Sequence, residues 1–359
     1  MNQIKNDNKR GLIINKVIFP IVATLLAVAF VALGVFMLKT VTRKPQNINN
    51  MNKVAANLVT ASPQLEEESE EPESEEAVVQ VTEEDVALNK AVMNGLVKAD
   101  LSLESKYVAV MSEDGTILFG KNEEKKMNPA SMTKLMTALL VVENEPDLSK
   151  LVQVSQKTMD YTYEEEGSNA GFVVDEKASI LDMLYGVLLP SGAESSVTLA
   201  EHIAGSHEDF VDMMNERAEE LGMSKTHFTN CVGFYNKEHY TTTKDIAVLL
   251  NKCLQNDLLK EIMSQKSHTV GKTNKHKQGF TFFSTVFKKV KKVNLSGIEF
   301  LGGKTGYTDE SGQCLASAAE INGKQYILVT GLSRTAPDGI AGSAMDVQTV
   351  YQKIKAITK

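Results

Sequence analysis

Apolar positions along this chain follow three rhythms, and each predicts a different kind of element. The first is an unbroken run. Residues 17–38, VIFPIVATLLAVAFVALGVFML, carry no charged side chain. At 1.5 Å per residue such a run makes a helix roughly 33 Å long, enough to cross the hydrocarbon of a bilayer. A cleavable signal has a shorter apolar region, about 7–15 residues, that ends at small residues. This run ends GVFMLK, so the expectation is an uncleaved anchor. Basic residues flank both sides: Lys5, Lys9, Arg10 and Lys16 before, Lys39, Arg43 and Lys44 after. The short leading flank and the long trailing chain favour residues 1–16 inside the cell and the remainder outside.

The second rhythm is alternation. Tyr107 to Gly120, YVAVMSEDGTILFG, alternates about Asp114-Gly115, and QCLASAAEINGKQYILVTGL does so about Asn322-Gly323. Both patterns predict strand pairs joined by tight turns. The third rhythm is helical. One helix is expected from about Ala130, another over Ser179–Leu189 stopped by Pro190, and a third through ESSVTLAEHIAG to Gly205. A fourth, EDFVDMMNERAEELG, has Ser206 as N-cap and Gly222 as C-cap. A last amphipathic helix begins near Ala344. Strand pair, helical insertion, strands and helix together imply an α/β fold. Its antiparallel sheet is flanked by helices and interrupted by an all-helical subdomain. No internal repeat is visible.

Composition adds a tether and removes some function classes. Of the 359 residues, 42% are hydrophobic and 23% charged, ordinary globular values. The net charge of −8 is concentrated in EEESEEPESEE, Glu66–Glu76, which holds eight glutamates and no basic residue. Such a block repels itself and buries nothing, so residues 39–85 read as an acidic disordered linker before a globular domain over 86–359. A net acidic chain argues against a nucleic-acid partner. Cys231, Cys253 and Cys314 share no metal or disulfide spacing. The six histidines include His202 and His207, five apart, and no HExxH. No metal or cofactor is therefore expected. VGKT at 270–273 lacks the earlier glycine of a phosphate-binding loop, since Lys266 stands there. The lysines from Lys266 to Lys292, ending FKKVKKVN, read as a charged, exposed strand edge.

The chemistry concentrates in NPASMTKLMTALL, Asn128–Leu140. Ser131 and Lys134 stand at i and i+3 on one helical face, with Cβ atoms about 5–6 Å apart. An unprotonated lysine there can activate the serine, provided burial or nearby charge lowers its proton affinity. The free N–H groups of a first helical turn also suit a developing oxyanion. Taken alone, the tetrapeptide fits an ordinary helix surface equally well. Two later stretches change that. LLPSGAESS places Ser191 in a turn between helices, 60 residues on, and GGKTGYTDESG places Lys304, Thr305 and Gly306 on an expected strand. Ser-x-x-Lys, a Ser-Asp-Asn-type triplet and Lys-Thr-Gly, in that order, form the signature of penicillin-binding proteins and class A β-lactamases.

On these motifs and the long stretches flanking them, the chain from about Tyr107 onward resembles the low-molecular-weight penicillin-binding proteins. Those are serine D-alanyl-D-alanine carboxypeptidases of the S11 type with a β-lactamase/transpeptidase-like fold. The resemblance implies that Ser131 attacks the bond between the last two D-alanines of a peptidoglycan stem peptide, Lys134 takes its proton, and Ser191 belongs to the proton network. It implies that Lys304 and Thr305 bind the substrate carboxylate and tune the proton network, and that Gly306 lets substrate lie against the strand. The oxyanion would be held by the N–H groups of Ser131 and Tyr307. β-Lactams, which resemble the D-Ala-D-Ala terminus, would acylate Ser131. The substrate lies outside the cytoplasmic membrane, in keeping with a single-pass anchor at 17–38 and an extracytoplasmic domain.

One position departs from the pattern. The middle triplet is Ser191-Gly192-Ala193, and Ala193 replaces the family's asparagine. A lost charge-assisted hydrogen bond costs about 1.5–3 kcal/mol. Three readings stay open: Glu194 or a nearby backbone group compensates, turnover is slow, or the protein binds muropeptide or β-lactam with little turnover. A β-lactamase is a further rival. It requires an added carboxylate base, and Glu164–Glu166 lie in an expected polar loop. Arg334 is as readily a solvent-exposed loop residue as a neighbour of the substrate.

Overall fold

The computed structural model describes residues 81–335 and 341–359. The span read at 17–38, its flank 1–16 and nearly all of the linker lie outside them. Among the described residues no helix is long and apolar enough to cross a membrane. Helix α1, Glu83–Lys98, opens on a reciprocal cap. The Thr82 hydroxyl accepts from the Asp85 N–H, and the Asp85 carboxylate accepts from the Thr82 N–H. Helix therefore begins three residues before the domain boundary drawn at 86.

A five-stranded antiparallel sheet follows, in the order β2-β1-β9-β8-β7. Its strands are β1 (Ser105–Ser112), β2 (Ile117–Lys121), β7 (Glu299–Thr308), β8 (Gly312–Ile321) and β9 (Lys324–Ser333). Asn322 and Gly323 join β8 to β9, both at positive φ, as expected of a tight hairpin turn. At the centre of the sheet β1 pairs with β9, from Ser105 opposite Ser333 to Ser112 opposite Tyr326.

Alternation along the strands divides the core in two. Val108 and Val110 of β1, Leu315 and Ala319 of β8, and Tyr326 and Leu328 of β9 face one side. There they meet α1 and the closing helix α10, Gly342–Ile357. Ala109 and Met111, Ala316 and Ala318, and Ile327 and Val329 face the other side, with the helical insertion. That insertion leaves the sheet after β2 and returns at β7. It contains α2 (Lys134–Asn144), α3 (Gln156–Glu164), α4 (Ile180–Leu188), α5 (Ala193–Ala204), α6 (His207–Glu220), α7 (Thr243–Leu254) and α8 (Asp257–Ser264). Two small hairpins interleave with them, β3 (Leu151–Gln153) with β4 (Lys177–Ser179) and β5 (Ser267–Val270) with β6 (Phe280–Phe283). Ser206 caps α6 by accepting from the Asp209 N–H, as its sequence indicated.

One expectation fails. Thr285–Val290 form a short helix, α9, rather than an exposed strand edge. The Ser284 hydroxyl accepts from the Phe287 N–H and starts the turn, and Val286 and Val290, four apart, sink into the core. The spacing that looked like alternation is one helical turn, and it carries Lys289 inward.

Candidate active site

The site is built around a lysine that folding has stripped of water. Ser131 lies in a tight 3-10 turn, Ala130–Thr133, that runs directly into α2. Side chains three apart eclipse in such a turn, which lines Ser131 up with Lys134. Lys134 is fully buried, and its Nζ stands 3.1 Å from Ser131 Oγ and 3.0 Å from the Val232 carbonyl. Burial pulls its proton affinity down from 10.5 to about 7, with Cys231 and Glu194 opposing weakly. A neutral amine that donates to Val232 keeps its lone pair for the serine hydroxyl. The Cys231 thiol, itself buried, is pushed up to about 12.

Residues that carried no signal in the sequence hold this geometry. The Asn230 side-chain oxygen accepts from the N–H groups of Val232, Gly233 and Phe234. It thereby shapes the turn that presents the Val232 carbonyl. Gly233 has φ +97, and a Cβ there would lie 1.9 Å from the Ala130 carbonyl oxygen. Below Ser131 a buried relay runs through His239. The Thr229 N–H donates to His239 Nδ1, which leaves Nε2 to carry the proton and donate to Thr133 Oγ1. Thr133 Oγ1 in turn donates to the Ala130 carbonyl. Burial lowers His239 to about 3, so the ring stays neutral in this role. The relay braces Ala130, a non-glycine residue at φ +47, immediately before the nucleophile.

The other two motifs converge on the same cavity. Ser131, Lys134, Ser191, Thr305, Gly306 and Tyr307 all line an open cleft of about 760 Å³. Lys304 lies behind its wall, fully buried, and its Nζ donates to Ser191 Oγ at 2.8 Å and to the Thr305 carbonyl at 3.0 Å. Burial, with Lys134 and Lys289 nearby, holds its amine well below the usual lysine range. Lys304 thus reaches the cleft through the Ser191 hydroxyl. Thr305 Oγ1 and Thr285 Oγ1 are 2.8 Å apart at the cleft. Tyr307 is 59% exposed and donates to Asp309 Oδ1. Gly306 is also needed by the fold itself. A Cβ there would stand 3.0 Å from the Pro129 carbonyl oxygen and 3.2 Å from Ala130 Cβ, so glycine lets β7 approach the nucleophile's own turn.

Ala193 is fully buried at the start of α5, and its N–H donates to the Ser168 carbonyl at 2.7 Å. The loop over it is close: a Cβ on Gly167 would lie 2.8 Å from the Ala193 methyl. Glu194 does not enter the cleft. One of its oxygens accepts from the Ala170 N–H, and burial raises its carboxyl to about 7. Ser168, whose carbonyl accepts from the Ala193 N–H, lines the cleft, and its hydroxyl donates to the Ser191 carbonyl at 2.5 Å. Glu165 and Glu166 stand exposed at the same mouth. Among the described residues no cluster suited to a metal ion occurs. Arg334 is exposed and lies outside the cleft lining.

Comparison with known proteins agrees with this arrangement. The chain is 32% identical over 247 residues to the D-alanyl-D-alanine carboxypeptidase DacF of Bacillus subtilis strain 168, covering 68% of this chain and 61% of that one. The chain thus spans somewhat less than two thirds of that relative's length. The crystal structure of the Streptomyces K15 DD-transpeptidase superposes with a TM-score of 0.64 at 25% identity, over 71% of this chain and 98% of that one. The D-alanyl-D-alanine carboxypeptidase DacD from Francisella tularensis shares the fold, with a TM-score of 0.62 at 22% identity over 71% of each chain. The profile that describes D-alanyl-D-alanine carboxypeptidases, peptidase family S11, matches residues 94–332. An α/β transpeptidase-like fold, a serine–lysine pair at the cleft and a family match over two thirds of its length establish that this chain belongs to the S11 D-alanyl-D-alanine carboxypeptidase family.

Proposed function

We propose that the protein is a serine-type, penicillin-binding D-alanyl-D-alanine carboxypeptidase that trims peptidoglycan stem peptides. The observation that carries this reading is the 3.1 Å contact between Ser131 Oγ and a buried Lys134 held near pH 7. Neutral Lys134 takes the serine proton as Oγ attacks the penultimate D-alanine carbonyl. Electron density collects on the carbonyl oxygen, where backbone N–H groups of Ser131 and Tyr307 stabilise it. The C–N bond then breaks, the proton that Lys134 took passes by way of Ser191, which Lys304 holds in place, to the amine of the departing D-alanine, and the peptide remains as an ester on Ser131, with Lys134 neutral again. Water attacks that ester with Lys134 as base and frees the shortened peptide. A β-lactam follows the first half of this path and stalls as an ester. The test is mass spectrometry of the full-length protein after penicillin treatment, together with D-alanine release from a pentapeptide ending in D-Ala-D-Ala. A penicilloyl adduct on Ser131, absent in Ser131→Ala, is expected; an adduct elsewhere, or none, overturns the reading.

A low-turnover variant of this function is favoured by Ala193, whose buried methyl brings no amide to the cleft. Slow D-alanine release with normal penicillin acylation identifies it. A short-lived penicilloyl ester identifies a β-lactamase that uses Glu165 or Glu166 as base.

We further propose that residues 17–38 anchor the protein in the cytoplasmic membrane as a single pass, with the catalytic domain outside. The uncharged 22-residue span supports this, as does the extracytoplasmic location of peptidoglycan. Protease protection of residues 1–16, but not of 86–359, in intact protoplasts is the expected result.

A further inference from the structure

A peptide ending in D-Ala-D-Ala brings a free carboxylate into the cleft, and an anion entering a partly dry cavity requires a cation or several strong donors. Three lysines are at hand. Lys134 and Lys304 are fully buried and each is committed to a serine hydroxyl. The third is Lys289, which reaches the cleft lining from α9 and is only partly buried. Its Nζ donates to Gln313 Oε1 at 2.5 Å, and no carboxylate among the described residues pairs with it. Gln313 sits opposite Tyr307 in the β7–β8 ladder, so the ammonium lies at the Tyr307 end of the cleft. Thr285 stands one helical turn before Lys289 on the same face of α9, and its hydroxyl meets that of Thr305 at 2.8 Å. All three side chains line the one cavity.

Resting on the carboxypeptidase reading above, we infer that Lys289 is the cation that binds the terminal carboxylate of the substrate, with the Thr285 and Thr305 hydroxyls as companion donors. Gln313 occupies one N–H of the ammonium and holds it in place, leaving two for the ligand. Glu165, Glu166 and Asp309 elsewhere on the lining disfavour any anion that lacks this partner. Burial holds Lys289 down to about 8, with Cys314 opposing. The groups that act on it are the Gln313 amide, the neutral Cys314 thiol and Lys304, and the site is cationic at pH 7 and loses that charge above pH 8. Nothing in the lysine-rich run sets Lys289 apart from its neighbours in sequence. The helix does so by turning Lys288 out and Lys289 in.

The test pairs two substrates with two variants of the full-length protein in detergent: an acyl-D-Ala-D-Ala peptide with its free carboxylate, and the same peptide as its C-terminal carboxamide. A charge-assisted contact is worth about 1.5–3 kcal/mol, roughly 10–150-fold. Lys289→Gln should lower kcat/KM on the acid by that factor, chiefly through KM, and leave the carboxamide within about twofold. Lys289→Arg should retain most of the acid's advantage. Equal losses on both peptides mean that Lys289 only props the fold, and no loss on the acid means that the carboxylate binds elsewhere; either overturns the inference alone. Should the unaltered protein neither release D-alanine nor form a penicilloyl ester, the carboxypeptidase reading has failed and this inference falls with it.

Discussion

Lys134 makes both activity and stability rise with pH, in successive windows, and the sizes follow from its burial. An exposed lysine at pH 7 is neutral in about three molecules per ten thousand; with its proton affinity reduced to about 7, Lys134 is neutral in half. Acylation should therefore rise about tenfold per pH unit from pH 5, pass half-maximum near 7 and level off. The same shift opposes folding. In the unfolded chain the group holds its proton up to 10.5, whereas in the folded chain it loses it near 7. Between those values the unfolded state binds more protons, so stability rises with pH through that window. The penalty is full below about 7, absent above 10.5, and roughly 5 kcal/mol in size. Lys134→Met removes it but leaves the Val232 carbonyl without its donor, a loss of about 1–3 kcal/mol.

The variant should therefore be more stable than the parent by roughly 2–4 kcal/mol at pH 6, and less stable by about 1–3 kcal/mol near pH 10.5. Thermal melts at the two pH values read this sign reversal. The acylation limb is read from the second-order rate constant for a fluorescent penicillin between pH 5 and 9.5. Lys289 imposes a descending limb above pH 8, so the ascent is measured most cleanly in Lys289→Gln. A flat profile, an inflection near 10, or a Lys134→Met variant equally destabilised at both pH values would refute the reasoning.

Three other substitutions probe the supports. Ala193→Asn restores the family residue, but its side chain meets the loop at Gly167 in a filled space; it should lower stability by about 1–3 kcal/mol in denaturant melts, and a faster release of D-alanine would show that the amide finds room. Gly233→Ala forces a Cβ onto the Ala130 carbonyl from a left-handed backbone, so a loss of roughly 3–5 kcal/mol is expected, with penicillin acylation abolished even where the protein stays folded. His239→Ala breaks the relay to Thr133 and Ala130; unpaired buried donors should lower stability by about 2–5 kcal/mol, while unchanged melting and acylation would remove the relay from the account.

The sheet hairpins, the helix caps and the two lysine motifs were legible because each is encoded by neighbours: Asn322-Gly323 at a turn, Ser206 before a helix, Lys134 three residues after Ser131. What stayed hidden depends on contacts distant in sequence. Asn230 and His239 look like ordinary polar residues, and only the fold brings them beneath the nucleophile. The run FKKVKKVN was misread because Val290 and Val293 suit alternation when seen alone, while Val286 four residues earlier sets the helical phase. The fold's own need for Gly306 stayed hidden because its nearest neighbour, the Pro129 carbonyl, is 177 residues away along the chain. Ala193 was visible as a departure, but not the loop that had closed over it.

The β1–β9 pairing fixes when this enzyme can first act. Ser105 finds its partner only once Ser333 has been made, so the sheet's middle seam waits on nearly the whole chain. Until then β7 and β8 can pair only with each other, and no sheet joins the gripping strand to β1. Loop closure over some 230 residues is slow, and it leaves an unpaired strand edge exposed meanwhile. A newborn chain is therefore inert, and competence arrives all at once when its last strand has been made.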